Sequence, residues 1–314
     1  THDGLLDEQG SYVAVLQPLE MRISQSVFSP FSQTQGLLLL CHGICEHSGR
    51  YVPLADILTS NGFAVYMHDM ANHGKSNNDK NLTGYFGKKD GYKALVKDFD
   101  SVVKTAKTDY PDKKLVIMGH SMGSFIVRCY TAWYPNAGFD GAIYMGTGGS
   151  NPIAGVGDFV SSLIAKVTGY KKKVALLDKM TFGSYNDKFE KRTAFDWLTR
   201  DNSVVDKYIN DEYCGFLFSA QGMNDLVKLN INANLDDWYA RVPKNLPILV
   251  ISGADDPVCD YSKGVVEIEN KLKATAHKNV TAKLYNGARH EILNETNRDE
   301  VYADILLWIS DNVL

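Results

Sequence analysis

The 314 residues carry 33 Lys and Arg against 37 Asp and Glu, a net charge of −4, and 44% of them are hydrophobic. That length holds one large α/β domain with an insertion, or two small domains. The charge balance offers no basic excess to draw nucleic acid, and no apolar run reaches the roughly 18 residues that a spanning helix needs.

The first residues, THDGLLDEQGSY, are polar and acidic with no secretory hydrophobic core, so a cytoplasmic chain is expected. Residues 11–18 and 21–28 alternate apolar with polar, and predict an antiparallel strand pair joined over 18–21. The run LLLLC at 37–41 suits a central strand buried on both faces and leads into His42-Gly43. A helix is predicted over about 49–60, ended by Asn61-Gly62, and a strand over 63–69. Tyr92, Leu95, Val96, Phe99, Val102 and Val103 recur at helical spacing and predict a helix over 90–108. Residues 115–118 read as a short strand and 124–130 as the start of a helix, with GHSMG (119–123) between them. Another strand over 139–145 ends in Gly146-Thr147-Gly148-Gly149.

From about 150 to 240 the β-branched runs give way to helical patches. The strand pattern resumes at 246–252, followed by a helix over 261–274, a strand over 279–285 and a helix over 299–313. Eight strands alternating with helices predict an α/β fold, a mostly parallel sheet with helices on both faces. Residues 1–149 and 241–314 then form the core, and 150–240 an insertion above the sheet.

A strand that turns sharply into a helix at G-x-S-x-G is a nucleophile elbow. The turn holds the Ser121 hydroxyl out of the sheet, beside His120, and Gly119 and Gly123 keep a Cβ away from the neighbouring strand and helix. The bland alternative is a Gly-rich turn with an incidental serine. A serine hydroxyl is a poor nucleophile at neutral pH. It needs a base, a group that orients the base, and donors for the developing oxyanion. In this architecture the chain order is Ser, acid, His. The strand ILVIS runs into GADDPV (253–258) and VTAKLY into NGARH (286–290), so each sets a candidate just past a strand's C-terminal end. His290 is the expected base. The acid is Asp255 or Asp256; the G-x-x-D spacing from Gly253 and the following Pro257 favour Asp256. The expected oxyanion donors are the backbone N–H groups of Met122 and Ile44. Glu46 is a candidate for ordering that loop or meeting a polar substrate group.

His42, His47, His68 and His73 match no metal-ligand spacing and are expected to order loops, so neither metal nor cofactor is expected. The five cysteines are scattered, odd in number and without C-x-x-C, which reads as reduced thiols. Cys45 and Cys259 fall near the predicted site and read as buried, inert thiols.

The segments HGICEHSGRY (42–51), HDMANHGKS (68–76), GHSMG (119–123), GADDPVCD (253–260) and NGARHEI (286–292) together resemble the α/β-hydrolase superfamily. Within it they are similar to the monoacylglycerol lipase/lysophospholipase group, often merged with serine aminopeptidases. The resemblance implies an α/β-hydrolase fold with a helical cap over about 150–240. One departure is Ala71-Asn72, where the family usually has Arg-Gly. In the cap, Phe159, Val160, Leu163, Ile164 and Val167 form one helical stripe followed by three lysines at 171–173. A single stripe favours a helix packed on the core; the sharper readings are an acyl-binding wall, with Phe159 and Leu163 as substrate contacts, or a transient membrane contact. Phe182, Tyr185, Phe189, Phe195, Trp197, Phe216 and Phe218 are expected to supply an apolar pocket.

The leading expectation is a serine carboxylic-ester hydrolase acting through an acyl-enzyme on monoacylglycerols, lysophospholipids or small esters, with Ser121, Asp256 and His290 as triad. A serine aminopeptidase or amidase would use the same triad and anchor an amine on Asp178, Glu190 or Asp211. An epoxide hydrolase or dehalogenase would need Asp in place of Ser121. A non-catalytic receptor on this fold usually loses a triad member or the oxyanion loop, and here every part is present.

Overall fold

The computed structural model describes residues 5–6, 12–16, 23–30 and 33–314. Most of the acidic N-terminal stretch and the connection at 18–21 lie outside the described residues. Among the described residues nine strands form one sheet: β1 (Leu5–Leu6), β2 (Tyr12–Leu16), β3 (Ile23–Phe28), β4 (Gly36–Cys41), β5 (Phe63–His68), β6 (Lys114–His120), β7 (Gly141–Met145), β8 (Ile248–Gly253) and β9 (Val280–Tyr285). Their order is β1-β2-β3-β5-β4-β6-β7-β8-β9. The first three strands pair antiparallel, as does β3 with β5, and all other pairs are parallel. Eight strands were expected; the ninth is β1, whose two residues are too short to show a period.

The buried run of β4 explains the layering. Leu37, Leu39 and Cys41 point into one hydrophobic cluster, and Leu38 and Leu40 into another. The second cluster is covered by α1 (Val52–Ser60), with Leu54 and Leu58. The first is covered by α2 (Gly91–Asp109) and α3 (Met122–Trp133), with Phe99, Val102, Ile126 and Tyr130. Between β7 and β8 come α4 (Ala154–Thr168), α5 (Ala175–Phe182), α6 (Asn202–Asn210), α7 (Ala220–Asn234) and α8 (Asp236–Arg241). Then α9 (Lys263–Ala274) joins the first face and α10 (Arg298–Asn312) the second, through Ile268 and Ile305 respectively.

The expected packing of the α4 stripe holds only for Val160 and Ile164, which are half-buried. Its buried residues are Ser161 and Ala165, and Ser161 Oγ accepts a hydrogen bond from Asn224 of α7 at 2.9 Å. Small side chains let the two helices approach, while Phe159 (68% exposed), Leu163 (50%) and Val167 (78%) face solvent.

The elbow depends on close backbone approach. A Cβ on Gly119 would collide with the carbonyl of Gly123, and one on Gly123 with the carbonyl oxygens of Cys41 and His42. Gly123→Ala is therefore expected to lower unfolding free energy by about 1–3 kcal/mol, as overpacking does, measured by denaturant melting. An unchanged midpoint would mean that the elbow relaxes freely.

Candidate active site

Ser121 sits between β6 and α3 with φ 52° and ψ −121°, a strained conformation for a residue bearing a side chain. Its backbone is pinned on both sides. The Ser121 N–H donates to the Met145 carbonyl at 2.9 Å, and its own carbonyl accepts from the N–H of Ser124 at 2.9 Å. The hydroxyl is left facing cavities that open on either side of it.

His290 lies just beyond β9. Its Nδ1–H donates to Asp256 Oδ2 at 2.9 Å, which leaves Nε2 as the basic nitrogen. Asp256 is wholly buried; Oδ2 also accepts from the Ser252 hydroxyl at 2.7 Å, and Oδ1 from the Val258 N–H at 2.8 Å. Burial pushes the Asp256 carboxyl up, but the His290 imidazole and these donors outweigh it and hold it below its ordinary value. Asp255, the other candidate acid, is exposed. Ser121 and His290 make no hydrogen bond in this arrangement. Such contacts commonly tighten only with substrate in place.

The loop after β4 carries the other half of the site. Gly43 N–H donates to Glu46 Oε1 at 2.5 Å, whereas the N–H groups of Ile44 and Met122 donate to no described acceptor. The next residue, Cys45, is left-handed at φ 54°. Its carbonyl accepts from the Tyr208 hydroxyl and the Gly215 N–H, each at 3.0 Å, so the cap side braces the loop. Cys45 Sγ donates to the Phe216 carbonyl, and burial pushes its pKa well up; Cys259 is likewise pushed up to about 12. Both are poor nucleophiles.

Behind Ser121, Asp256 and His290 lies a buried polar network that motif reading missed. Arg50 donates to Glu46 Oε2 and to both oxygens of Glu291, each at 2.6 Å. Tyr51 donates to Glu46 Oε1 at 2.6 Å. His120 Nε2–H donates to the His290 carbonyl at 3.3 Å, and Nδ1 faces Glu46 at 3.2 Å. Burial opposes charge on both partners. The Arg50 charge and the His120 hydrogen bond nevertheless hold Glu46 well below its usual value, and Glu46 raises His120. The only sequence signal for this network was the polar density of EHSGRY and the Glu following His290.

Of the other histidines expected to order loops, His42 and His73 bond to nearby backbone, whereas His68 makes no side-chain hydrogen bond among the described residues. His42 Nδ1–H donates to the Gly43 carbonyl at 2.8 Å, while its Nε2 accepts from the Met70 N–H at 3.0 Å. Burial drives His68 and His73 down to about 3, so both are neutral. Asn72 adopts φ 57°, a conformation Asn tolerates better than other side chains, which explains how it replaces glycine there.

Two cavities meet at Ser121. The larger, of about 550 Å³, is lined largely by apolar groups including Phe125, Val160, Leu177, Met180 and Leu226. The smaller, of about 280 Å³, is likewise lined mostly by apolar groups, including Phe195, Leu198 and Phe216, with Glu46, Asp178, Glu291 and Tyr208 among its residues. Phe182 and Trp197 line both. Phe159 and Leu163, expected as substrate contacts, line neither, because the small-residue face of α4 turns them outward. Among the proposed amine anchors, Glu190 is paired with Arg289 at 2.8 Å and Asp211 with His47 at 3.1 Å. Asp178 alone of the three lines a cavity, and it has no ion-pair partner among the described residues.

Residues 32–297 match the family model of serine aminopeptidase, S33. The chain is 27% identical to a monoglyceride lipase of Mus musculus over 291 residues, covering 91% of this chain and 86% of the relative. It is also 27% identical to a monoacylglycerol lipase of Mycolicibacterium smegmatis, over 92% of this chain and 93% of that one. A thermostable carboxyl esterase from Bacillus coagulans, solved in complex with glycerol, superposes with a TM-score of 0.90 at 29% identity, over 96% of this chain and 98% of that one.

Removing the Arg50 charge would leave Glu46 and Glu291 buried without their cation. Arg50→Met is expected to cost about 3–5 kcal/mol at neutral pH. The folded Glu46 carboxyl is depressed, so its stabilisation is full above the ordinary carboxylate range and is lost as pH falls through the folded value. In the variant Glu46 takes a proton more readily, so the gap to wild type narrows on acidification. Thermal melts across pH check this, and a gap independent of pH would show that the clamp acts through packing alone.

Proposed function

Because this chain belongs to the serine aminopeptidase S33 family of α/β hydrolases, we propose that it is a serine carboxylic-ester hydrolase whose substrates are monoacylglycerols. The observation that carries the reading is a strained serine where two mostly apolar cavities meet, the smaller with Glu46, Asp178 and Glu291 among its lining residues.

Ser121 Oγ attacks the ester carbonyl while His290 Nε2 takes its proton. Asp256 holds the imidazole in the tautomer that leaves Nε2 free. The tetrahedral oxyanion is met by the N–H groups of Ile44 and Met122, each worth roughly 3 kcal/mol of barrier. His290 returns the proton to the departing alcohol, and water repeats the sequence on the acyl-enzyme.

The larger cavity suits the acyl chain and the smaller one the alcohol. Around the alcohol side Glu46 and Glu291 share one guanidinium, and Asp178 forms no ion pair among the described residues. A phosphate would be repelled there, whereas glycerol brings only hydroxyls. The names of the curated relatives and the glycerol held by the B. coagulans esterase support this choice. Among the described residues no helix is long and apolar enough to cross a membrane. The exposed apolar face of α4, next to lysines 171–173, supports transient contact with a lipid surface. The free thiols support a reducing, cytoplasmic compartment.

Hydrolysis of p-nitrophenyl esters from two to sixteen carbons, with 1-monoacylglycerol alongside, is expected to peak at eight carbons or longer. Ser121→Ala should reduce kcat at least about 10⁴-fold. A peak at two to four carbons would point to a small-ester esterase, and faster turnover of an amino-acid amide than of any ester to the aminopeptidase reading. Asp178→Asn is expected to raise the kcat/KM ratio of an anionic lysophospholipid to monoacylglycerol about five- to tenfold, since one near charge at this burial is worth about 1 kcal/mol. An unchanged ratio would remove Asp178 from head-group selection.

A further inference from the structure

We infer that His47, Asp211 and Cys214 form a binding site for zinc or a similar thiophilic divalent cation, at the seam between the loop after β4 and the turn after α6. His47 Nε2 lies 3.1 Å from Asp211 Oδ2. Those two atoms and Cys214 Sγ all lie within 4.8 Å of one another. Spacing alone could not reveal this trio, because His47 stands 164 residues before Asp211.

The donor set decides the metal. Thiolate and imidazole select zinc or cobalt, whereas magnesium and calcium prefer all-oxygen shells. Tetrahedral zinc bonds of about 2.0–2.3 Å put neighbouring donors roughly 3.3–3.7 Å apart. The His47–Asp211 pair is already near that spacing, so closure asks mainly for a swing of Cys214. Cys214 Sγ makes no hydrogen bond among the described residues; its side chain is held by packing against the Trp197, Leu198 and Tyr208 cluster.

The supporting contacts hold the other two donors. Tyr213 N–H binds Asp211 Oδ1 at 2.9 Å, which leaves Oδ2 turned to His47. The Tyr213 ring packs edge-on against the His47 imidazole at 5.8 Å between centroids. Cys214 N–H binds the Asp211 carbonyl at 3.1 Å and fixes the turn that carries both donors. Arg50, the cation facing Cys214, is already bound by Glu46 and Glu291. Burial keeps the Cys214 thiol protonated without metal. Binding exchanges that S–H proton, released to solvent, for a sulfur–metal bond with no change of oxidation state. The fourth position is open to water. A cation here ties Ser121's oxyanion loop to the cap segment that already bonds the Cys45 carbonyl, without entering the catalytic centre.

The test uses the full chain, stripped of metal, titrated with Zn²⁺ against a chromogenic chelator and separately with Co²⁺. One Zn²⁺ per chain with a Kd of about 1 μM or tighter, proton release, and a thiolate-to-cobalt charge-transfer band are expected. Cys214→Ser should abolish the band, and Asp211→Asn should weaken Zn²⁺ binding at least about tenfold. Thermal melts of both variants verify that they are folded. No binding by the wild type, a cobalt band that persists in Cys214→Ser, or equal Zn²⁺ affinity in folded wild type and both variants would each overturn the site.

Discussion

The Arg50 guanidinium joins the two loops on which the site is built. Glu46 follows β4 and Glu291 follows β9, strands separated by three others in the sheet. One planar fork meets both carboxylates at 2.6 Å. Burying three charges is expensive, and an apolar trio of equal volume could be as stable. What an apolar trio lacks is direction. Glu46 spends its other oxygen on the Gly43 N–H, the Tyr51 hydroxyl and His120. Glu291 adjoins His290. The clamp therefore sets the loop after β4 and His290 in one frame, while Asp256 and the Ser252 hydroxyl set His290 from the other side.

The parallel sheet makes that frame possible. Parallel strands bring the loops after β4, β6, β8 and β9 to one edge, where catalytic groups of open α/β sheets collect. Ser121 supplies the strained turn there, held by Met145 of the adjacent strand. Arg128 of α3 extends the support. It is buried, donates to Thr147 Oγ1 and the Gly148 carbonyl at 3.1 and 3.0 Å, and reaches Asn234 Oδ1 at 2.9 Å. The helix behind the nucleophile is thus tied to the start and the end of the helical insertion, so the roof over the serine moves with its floor.

How much was legible in the sequence follows from the range of each signal. The apolar run of β4, the elbow and the loops ending in Asp256 and His290 are local patterns, and chain order alone orders Ser121, Asp256 and His290. G-x-x-D spacing favours Asp256, the carboxylate that His290 reaches, over the exposed Asp255. The Arg50–Glu291 pair spans 241 residues, and no local pattern announces a contact of that separation. Phe159 and Leu163 fail for a different reason. Periodicity identifies a stripe but not which stripe a neighbour covers, and here Gly157, Ser161 and Ala165 form the face that α7 accepts. The two-residue β1 is too short for any period.

The outward turn of α4 links packing to function. Val156 and Val160 border the large cavity, while Phe159, Leu163 and Val167 face water on the same helix. Exposed side chains of that size gain nothing from the fold, and a contiguous apolar face of this kind marks a contact surface. An acyl chain leaving a lipid surface at this face would pass from one side of α4 to the other and remain against apolar groups throughout. The ester would then arrive at Ser121 with its alcohol directed to the smaller cavity. Separate treatment of the two ends of an amphiphile needs two cavities meeting at one serine, and the clamp formed by Arg50 holds Glu46 and Glu291 in place on the smaller one.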